Sequence, residues 1–314
     1  MMKRLTENKI VLVVRRSRLD DLIIRHNTFE QAHFCVSQTG ADFSDYELED
    51  KIYKRAIRTT EQILHSLGRV QILNRDFLPN FIFGEEDTVI VLGQDGLVAN
   101  TMKYLNRQPV IGVNPDPERY DGILLPFRVK NLTEVIKAHF AKKMQMQNVT
   151  MAEVLLSDGQ KLYAVNDFFI GAKSHVSARY EISHCGKKEF QSSSGIIIST
   201  GLGSTGWLKS VFAGAGGILQ SLTGENPFPL NFEHMTPDSR FLFYSVREPF
   251  PGNKSGTSIV FGKVDKKNKL MITSGMSENG VIFSDGIEED FLTFNSGTIA
   301  TISVSQKAGN LVKA

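Results

Sequence analysis

Cysteine is almost absent from this chain, with two in 314 residues, Cys35 and Cys185. They lie far apart and fit no ligand spacing. A disulfide framework and a cysteine metal site are therefore excluded, and a reducing cytoplasm is the expected setting. Proline and glycine, at 10 and 26, are too few and too irregular for a collagen-like or low-complexity chain. An excess of one charge is also lacking. The 36 Lys and Arg against 34 Asp and Glu leave a formal net charge of +2, so nothing demands a nucleic-acid partner. No apolar run approaches the roughly 20 residues of a bilayer span, so no membrane partner is expected. The start, MMKRLTENKIVLVV, has basic residues before a short apolar run. A secretory core needs about 7–15 apolar residues, so no signal peptide is expected. The seven histidines show no metal spacing, and no Gly-x-Ser-x-Gly elbow occurs. What the chain does contain is ordinary for a globular protein: 41% hydrophobic and 22% charged residues. That is enough apolar side chain to offset the cost of ordering, at a length that suggests two domains.

The first 140 or so residues alternate strand-like and helix-like stretches. Ile10–Val14, Arg69–Leu73, Asp87–Leu92 and Val110–Val113 read as strands. Residues 15–44 show no clean period. Asp45–Leu67 reads as a helix with Leu48, Ile52, Ala56, Ile63 and Leu67 on one stripe, stopped by Gly68. A second helix is expected over Gly96–Leu105, and a third toward the end of Val129–Met146. Alternating strand and helix implies a parallel sheet with right-handed crossovers. From about 148 the pattern changes. Ala152–Leu156 and Lys161–Val165 flank Ser157-Asp158-Gly159 as a hairpin. Short strands follow at Arg179–Ser183, Ile196–Ser199, Phe241–Val246, Ser258–Val264, Lys269–Ser274, Val281–Ser284 and Thr298–Val304, with one helix at Thr205–Leu222. The expected fold is an α/β domain over 1–147 and a mainly antiparallel β domain over 148–295. The segment 296–314 is a candidate to rejoin the first domain.

Three stretches hold chemistry-bearing residues. In Leu92-Gly93-Gln94-Asp95-Gly96-Leu97 a buried-type strand turns into a helix. Its glycines let the backbone approach a ligand, and the helix start offers free N–H groups to phosphate. A turn with Asp95 as a cap is the plain alternative. The loop matches neither Gly-x-Gly-x-x-Gly nor the P-loop. In Ser199-Thr200-Gly201-Leu202-Gly203-Ser204-Thr205-Gly206-Trp207, hydroxyls and glycines lead from a strand into a helix and end on the single Trp. They suit a nucleotide, or simply cap a helix. In YAVNDFFIG the polar pair Asn166-Asp167 interrupts an apolar strand and needs partners; a ribose diol or a β-bulge would supply them. The loop from Asn114 to Gly122, NPDPERYDG, is turn-rich and follows a strand.

In this order, VIGVNPDPERYDG, NDFFIG, SSGIIISTGLGSTGW and FLFYSVREPF resemble segments of the NAD kinases, most closely the mitochondrial-type branch. The resemblance runs from about Ile10 to the C-terminus. It implies a donor-binding α/β domain and an all-β NAD-binding domain with the site between them. It also implies phosphoryl transfer from ATP, or polyphosphate, to the 2′-hydroxyl of the adenosine ribose of NAD, with Mg²⁺ and a homo-oligomer (dimer or tetramer). By position, Asp95 corresponds to the general base of a Gly-Gly-Asp-Gly motif, and Asn166 to the residue holding adenosine. Thr205 and Ser210 correspond to hydroxyls recognising adenine, and Trp207 replaces a tyrosine. Gly93, Gln94, Gly96, Asn114, Asp167, Thr200 and Gly206 complete the expected binding set; no residue is assigned to the metal. Four positions depart from the family pattern: Gln94 for a glycine, Leu97 for a threonine, Asp167 for a glutamate and Ser194 for an acid. Rival readings are a lipid or sugar kinase with a related donor loop and a dinucleotide-binding protein without turnover.

Overall fold

The computed structural model describes residues 4–225 and 235–314. The chain divides into two compact units, residues 1–147 with 310–314, and residues 148–309.

The first unit holds β1 (Lys9–Val14), α1 (Arg18–His26), α2 (Phe29–Gln38), α3 (Phe43–Leu67), β2 (Arg69–Asn74), β3 (Thr88–Leu92), α4 (Asp95–Met102), β4 (Pro109–Asn114), β5 (Phe127–Arg128) and α5 (Leu132–Phe140). Its strands pair in the order β4-β3-β1-β2, all parallel. The β-branched runs IVLVV and TVIVL are buried on both faces, as a parallel sheet covered by helices requires. Because β1 lies between β2 and β3, the strand order reverses there. The crevice at the carboxyl ends of β1 and β3 is where such sheets bind ligands.

The expected irregular stretch over 15–44 contains two helices instead. Ser17 accepts the N–H of Asp20, whose carboxylate accepts the N–H of Ser17, a closed capping box on α1; Thr28 caps α2. Leu19, Leu22 and Ile23 pack with Ala32, Val36 and Phe43, a stripe too short to stand out as a period. The stripe of α3 is also set differently. Leu48 is 53% exposed, and the buried line runs Glu49, Tyr53, Ala56, Thr60, Leu64, Leu67. Two polar residues on the inner face hid it from a hydrophobicity count.

The second unit holds β6 (Met146–Leu156), β7 (Lys161–Ala164), β8 (Asp167–Ala172), β9 (Ala178–His184), β10 (Lys187–Ser193), β11 (Ile196–Ser199), α6 (Trp207–Thr223), β12 (Leu242–Val246), β13 (Phe261–Val264), β14 (Leu270–Ser274), β15 (Gly280–Ser284), β16 (Ile287–Thr293) and β17 (Ile299–Val312). One antiparallel sheet runs β13-β12-β11-β8-β15-β16. A second holds β10, β9, β14 and β17. Phe168, Ile170, Ile196, Ile198 and Tyr244 of the first sheet pack with Tyr180, Ile182, Leu270 and Ile272 of the second in one core. Asn310 and Leu311, at the end of β17, run parallel to β4 in the first unit. Among the described residues no helix is long and apolar enough to cross a membrane.

Candidate active site

Asp95 stands at the first position of α4, immediately past the carboxyl end of β3. Its carboxylate does not cap its own helix. It accepts the N–H of Leu124 at 2.6 Å, from the loop after β4. Gln94 is the N-cap residue and makes no side-chain capping bond. The amides that open α4 therefore lack side-chain partners of the usual capping kind, and they face the crevice with the positive end of the helix dipole. Gly93 is buried, Gln94 and Gly96 are exposed, and Asp95 is half-buried. Leu97 is buried and packs where a Gly93 Cβ would sit.

The loop that reaches Asp95 is anchored at several points. A Cβ on Gly112 would overlap the Leu124 carbonyl oxygen, so glycine is what lets this backbone lie against β4. Asn114 is buried and spends both ends of its amide on its own loop. Its Nδ2 donates to the Tyr120 carbonyl at 2.9 Å, and its Oδ1 accepts the N–H of Asp116 at 2.9 Å. Tyr120 accepts from the Arg15 guanidinium at 2.9 Å, and Arg15 pairs with the buried Glu49 at 2.7 Å. Tyr53 donates to the Leu92 carbonyl at 2.8 Å and accepts the N–H of Arg15 at 3.0 Å. Glu49 and Tyr53 thus explain the polar positions on the inner face of α3: they hold the ends of β1 and β3. The sequence reading missed this network because its members come from four separate segments. Tyr120→Phe is expected to cost about 1–2 kcal/mol of stability, one charge-assisted hydrogen bond. A melting curve of the variant beside the native chain checks it.

In the second unit the chain passes from β7 to β8 through Val165 and Asn166, so the polar pair opens β8 rather than closing a strand. Both residues are half-buried. Burial, and then the charge of Asp285, push the Asp167 carboxyl up to about 7. Thr200 is fully buried and its hydroxyl is used internally. It donates to the Val165 carbonyl at 2.6 Å and accepts the N–H of Gly203 at 3.2 Å. A Cβ on Gly203 would overlap the Asn166 carbonyl oxygen, so this glycine permits the close approach of the two loops. No side chain caps α6, whose N-cap residue is Gly206. Thr205 and Gly206 are exposed at its start, and exposed Ser210 lies one turn on. Trp207 stacks on Phe169 with ring centroids 5.9 Å apart, and the Arg247 guanidinium lies 5.6 Å from its ring centroid. These residues line a cavity of about 230 Å³ with Lys173, Phe283, Glu288 and Phe291. Ser194 is exposed at the turn before β11, and its N–H donates to the Arg247 carbonyl at 3.0 Å.

No family model matches the sequence. The NAD kinase of Borreliella burgdorferi is 25% identical over 291 residues, which cover 88% of this chain and 92% of that protein. Human mitochondrial NAD kinase 2 is 25% identical over 373 aligned residues, covering 96% of this chain and 82% of that protein. A crystal structure of yeast NADH kinase complexed with NADH superposes with a TM-score of 0.60 at 14% identity, covering 98% of this chain and 84% of that one. An NAD kinase from Archaeoglobus fulgidus, in complex with ATP, gives 0.56 at 17%, covering 97% and 93%. At such identities the structural likeness shows the fold alone. Along nearly its whole length, then, this chain is similar in sequence to NAD kinases and shares the fold of solved NAD and NADH kinases.

Proposed function

We propose that this chain transfers the γ-phosphoryl group of ATP to the 2′-hydroxyl of the adenosine ribose of NAD, giving NADP and ADP. The observation that carries the reading is Asp95: a carboxylate at the switch point of a parallel sheet, at a helix start, held by a neighbouring loop rather than used as a cap. A ribose hydroxyl is a weak nucleophile. Asp95 takes its proton as the new O–P bond forms, and the bond from the γ-phosphorus to the bridging oxygen breaks to release ADP. The first unit binds the donor, with the amides of Gly93 to Gly96 at the phosphates. The second unit binds NAD through Asn166, Asp167, Thr205 and Ser210, with Trp207 against a ring. Asn114 and Thr200 serve by holding their loops.

Magnesium belongs to the same proposal. Among the described residues no group of three His, Cys, Asp or Glu side chains converges to hold a metal ion. Magnesium bound through phosphate oxygens and water needs no such cage, so the donor set fits an ion that arrives on the nucleotide. Bound there, it supplies neutralisation of the charge on the transferring phosphoryl group. A reducing compartment such as the cytoplasm suits the two free cysteines, and the family resemblance implies a homo-oligomer.

Gln94 is exposed where the family carries glycine, and we assign its side-chain amide to the donor phosphates. Gln94→Gly should then lower kcat/KM for ATP by roughly fivefold, the worth of one hydrogen bond. A rise would instead make the side chain an obstruction. The acceptor is tested by offering ATP and Mg²⁺ with NAD, NADH, diacylglycerol or a simple sugar and identifying the phosphorylated product by mass. A phosphorylated dinucleotide supports the reading; a phosphorylated lipid or sugar alone overturns it.

A further inference from the structure

The hairpin joining β15 to β16 has a two-residue loop, Asp285-Gly286, since Ser284 pairs with Ile287. Both loop residues are left-handed, with φ of 56° and 71°, as the turn that suits a twisted hairpin requires. Asp-Gly would do this wherever its carboxylate pointed. Here the carboxylate reaches a segment about 120 residues earlier. Its Oδ1 accepts the N–H groups of Asn166 at 2.6 Å, Val165 at 3.0 Å and Asp167 at 3.3 Å, and Oδ2 accepts Val165 at 3.1 Å. The backbone answers in kind, the Asp285 N–H donating to the Asp167 carbonyl at 3.0 Å. On the other side Thr200 donates its N–H to the Asn166 carbonyl at 2.9 Å. The junction that presents Asn166 and Asp167 is thus clamped from a hairpin and from the strand-to-helix turn, both remote in sequence.

We propose that Asp285 is a positioning residue that sets the backbone of Asn166 and Asp167 for the dinucleotide acceptor. The acceptor in this statement rests on the function proposed above; the clamp itself does not. One carboxylate collecting three successive N–H groups fixes three peptide planes at once. Burial, and after it the Asp285 charge, disfavours the ionised Asp167 carboxyl. The strands flanking Asp167, β11 (IIIS) and β15 (GVIFS), carry no titratable side chain. A protonated Asp167 donates a hydrogen bond and an ionised one only accepts, so its protonation state decides which dinucleotide group it can meet.

Two variants separate the geometric role from the electrostatic one. Asp285→Asn keeps the amide oxygen that accepts the three N–H groups, removes the charge, and suits a left-handed turn before glycine, so the hairpin is retained. Asp285→Ala removes the acceptor as well. Carboxyl-carbon NMR of the ligand-free protein should show the Asp167 titration midpoint about one pH unit lower in the Asn variant. NAD titration at pH 8 should show binding within about threefold of the native chain for Asn and weakened about 10–100-fold for Ala, with ATP binding unchanged in both. An unmoved Asp167 midpoint in the Asn variant overturns the electrostatic effect of Asp285, and unchanged NAD affinity in a folded Ala variant overturns the positioning role. A native chain that binds no NAD, with the Asp167 midpoint still lower in the Asn variant, overturns the dinucleotide reading instead.

Discussion

Asp95→Asn is expected to lower phosphoryl transfer by roughly 10²–10⁴-fold, the usual worth of a general base, with melting temperature and NAD affinity near those of the native chain. The substitution is nearly isosteric. An amide oxygen still accepts the N–H of Leu124, so the loop after β4 keeps its place. What disappears is the capacity to take a proton from the acceptor hydroxyl. Because the side chain caps no helix, the loss cannot be traced to a weakened α4. Initial rates at saturating ATP and NAD, alongside a melting curve, measure the effect. Near-native turnover in the Asn variant would remove Asp95 from the mechanism.

Asp167→Asn should make the protein more stable at pH 8 and a poorer NAD binder. The folded-state value of about 7 lies above that of an ordinary unfolded carboxyl. Between the two, the folded chain holds a proton that the unfolded chain has lost. Stability therefore falls as pH rises through that window, and stays at its lower level above about 7. The Asn variant has no carboxyl to ionise and escapes the loss. At about 1.4 kcal/mol per pH unit, discounted for partial exposure, the gain at pH 8 is roughly 2–4 kcal/mol, shrinking to nothing toward pH 4. NAD binding should weaken by about 1–3 kcal/mol, because a partner is left unmatched. Denaturant melts at pH 5 and 8 and an NAD titration check both signs. A variant less stable than the native chain at pH 8 would contradict the assignment of strain to this carboxyl.

The sequence was most legible where burial is two-sided or where a turn has fixed chemistry. IVLVV and TVIVL could be little else than central strands, and the Gly93–Gly96 turn follows from the second of them. Legibility failed where position depends on distant contacts. Glu49 and Tyr53 lie on the buried face of α3, a choice that makes sense only once Arg15 and the end of β3 are in place. Asn114 and Thr200 have residue types suited to a ligand, yet Asn114's amide is taken up by its own loop and Thr200's hydroxyl by the chain before β8. Gly112 and Gly203 are needed because another backbone passes against them, and no local pattern records that. Asp285 reads as an ordinary hairpin residue until its three remote N–H partners are known.

The central claim is that this chain makes NADP. The most direct test incubates the purified protein with NAD, ATP and Mg²⁺ and follows NADP with a dehydrogenase specific for it, with Asp95→Asn as the control. Steady, ATP-dependent formation of NADP by the native chain is expected, with a rate at least about a hundredfold lower in the variant. Absence of NADP from the native chain, with NAD bound in a parallel titration, would contradict the account and leave a dinucleotide-binding protein without turnover.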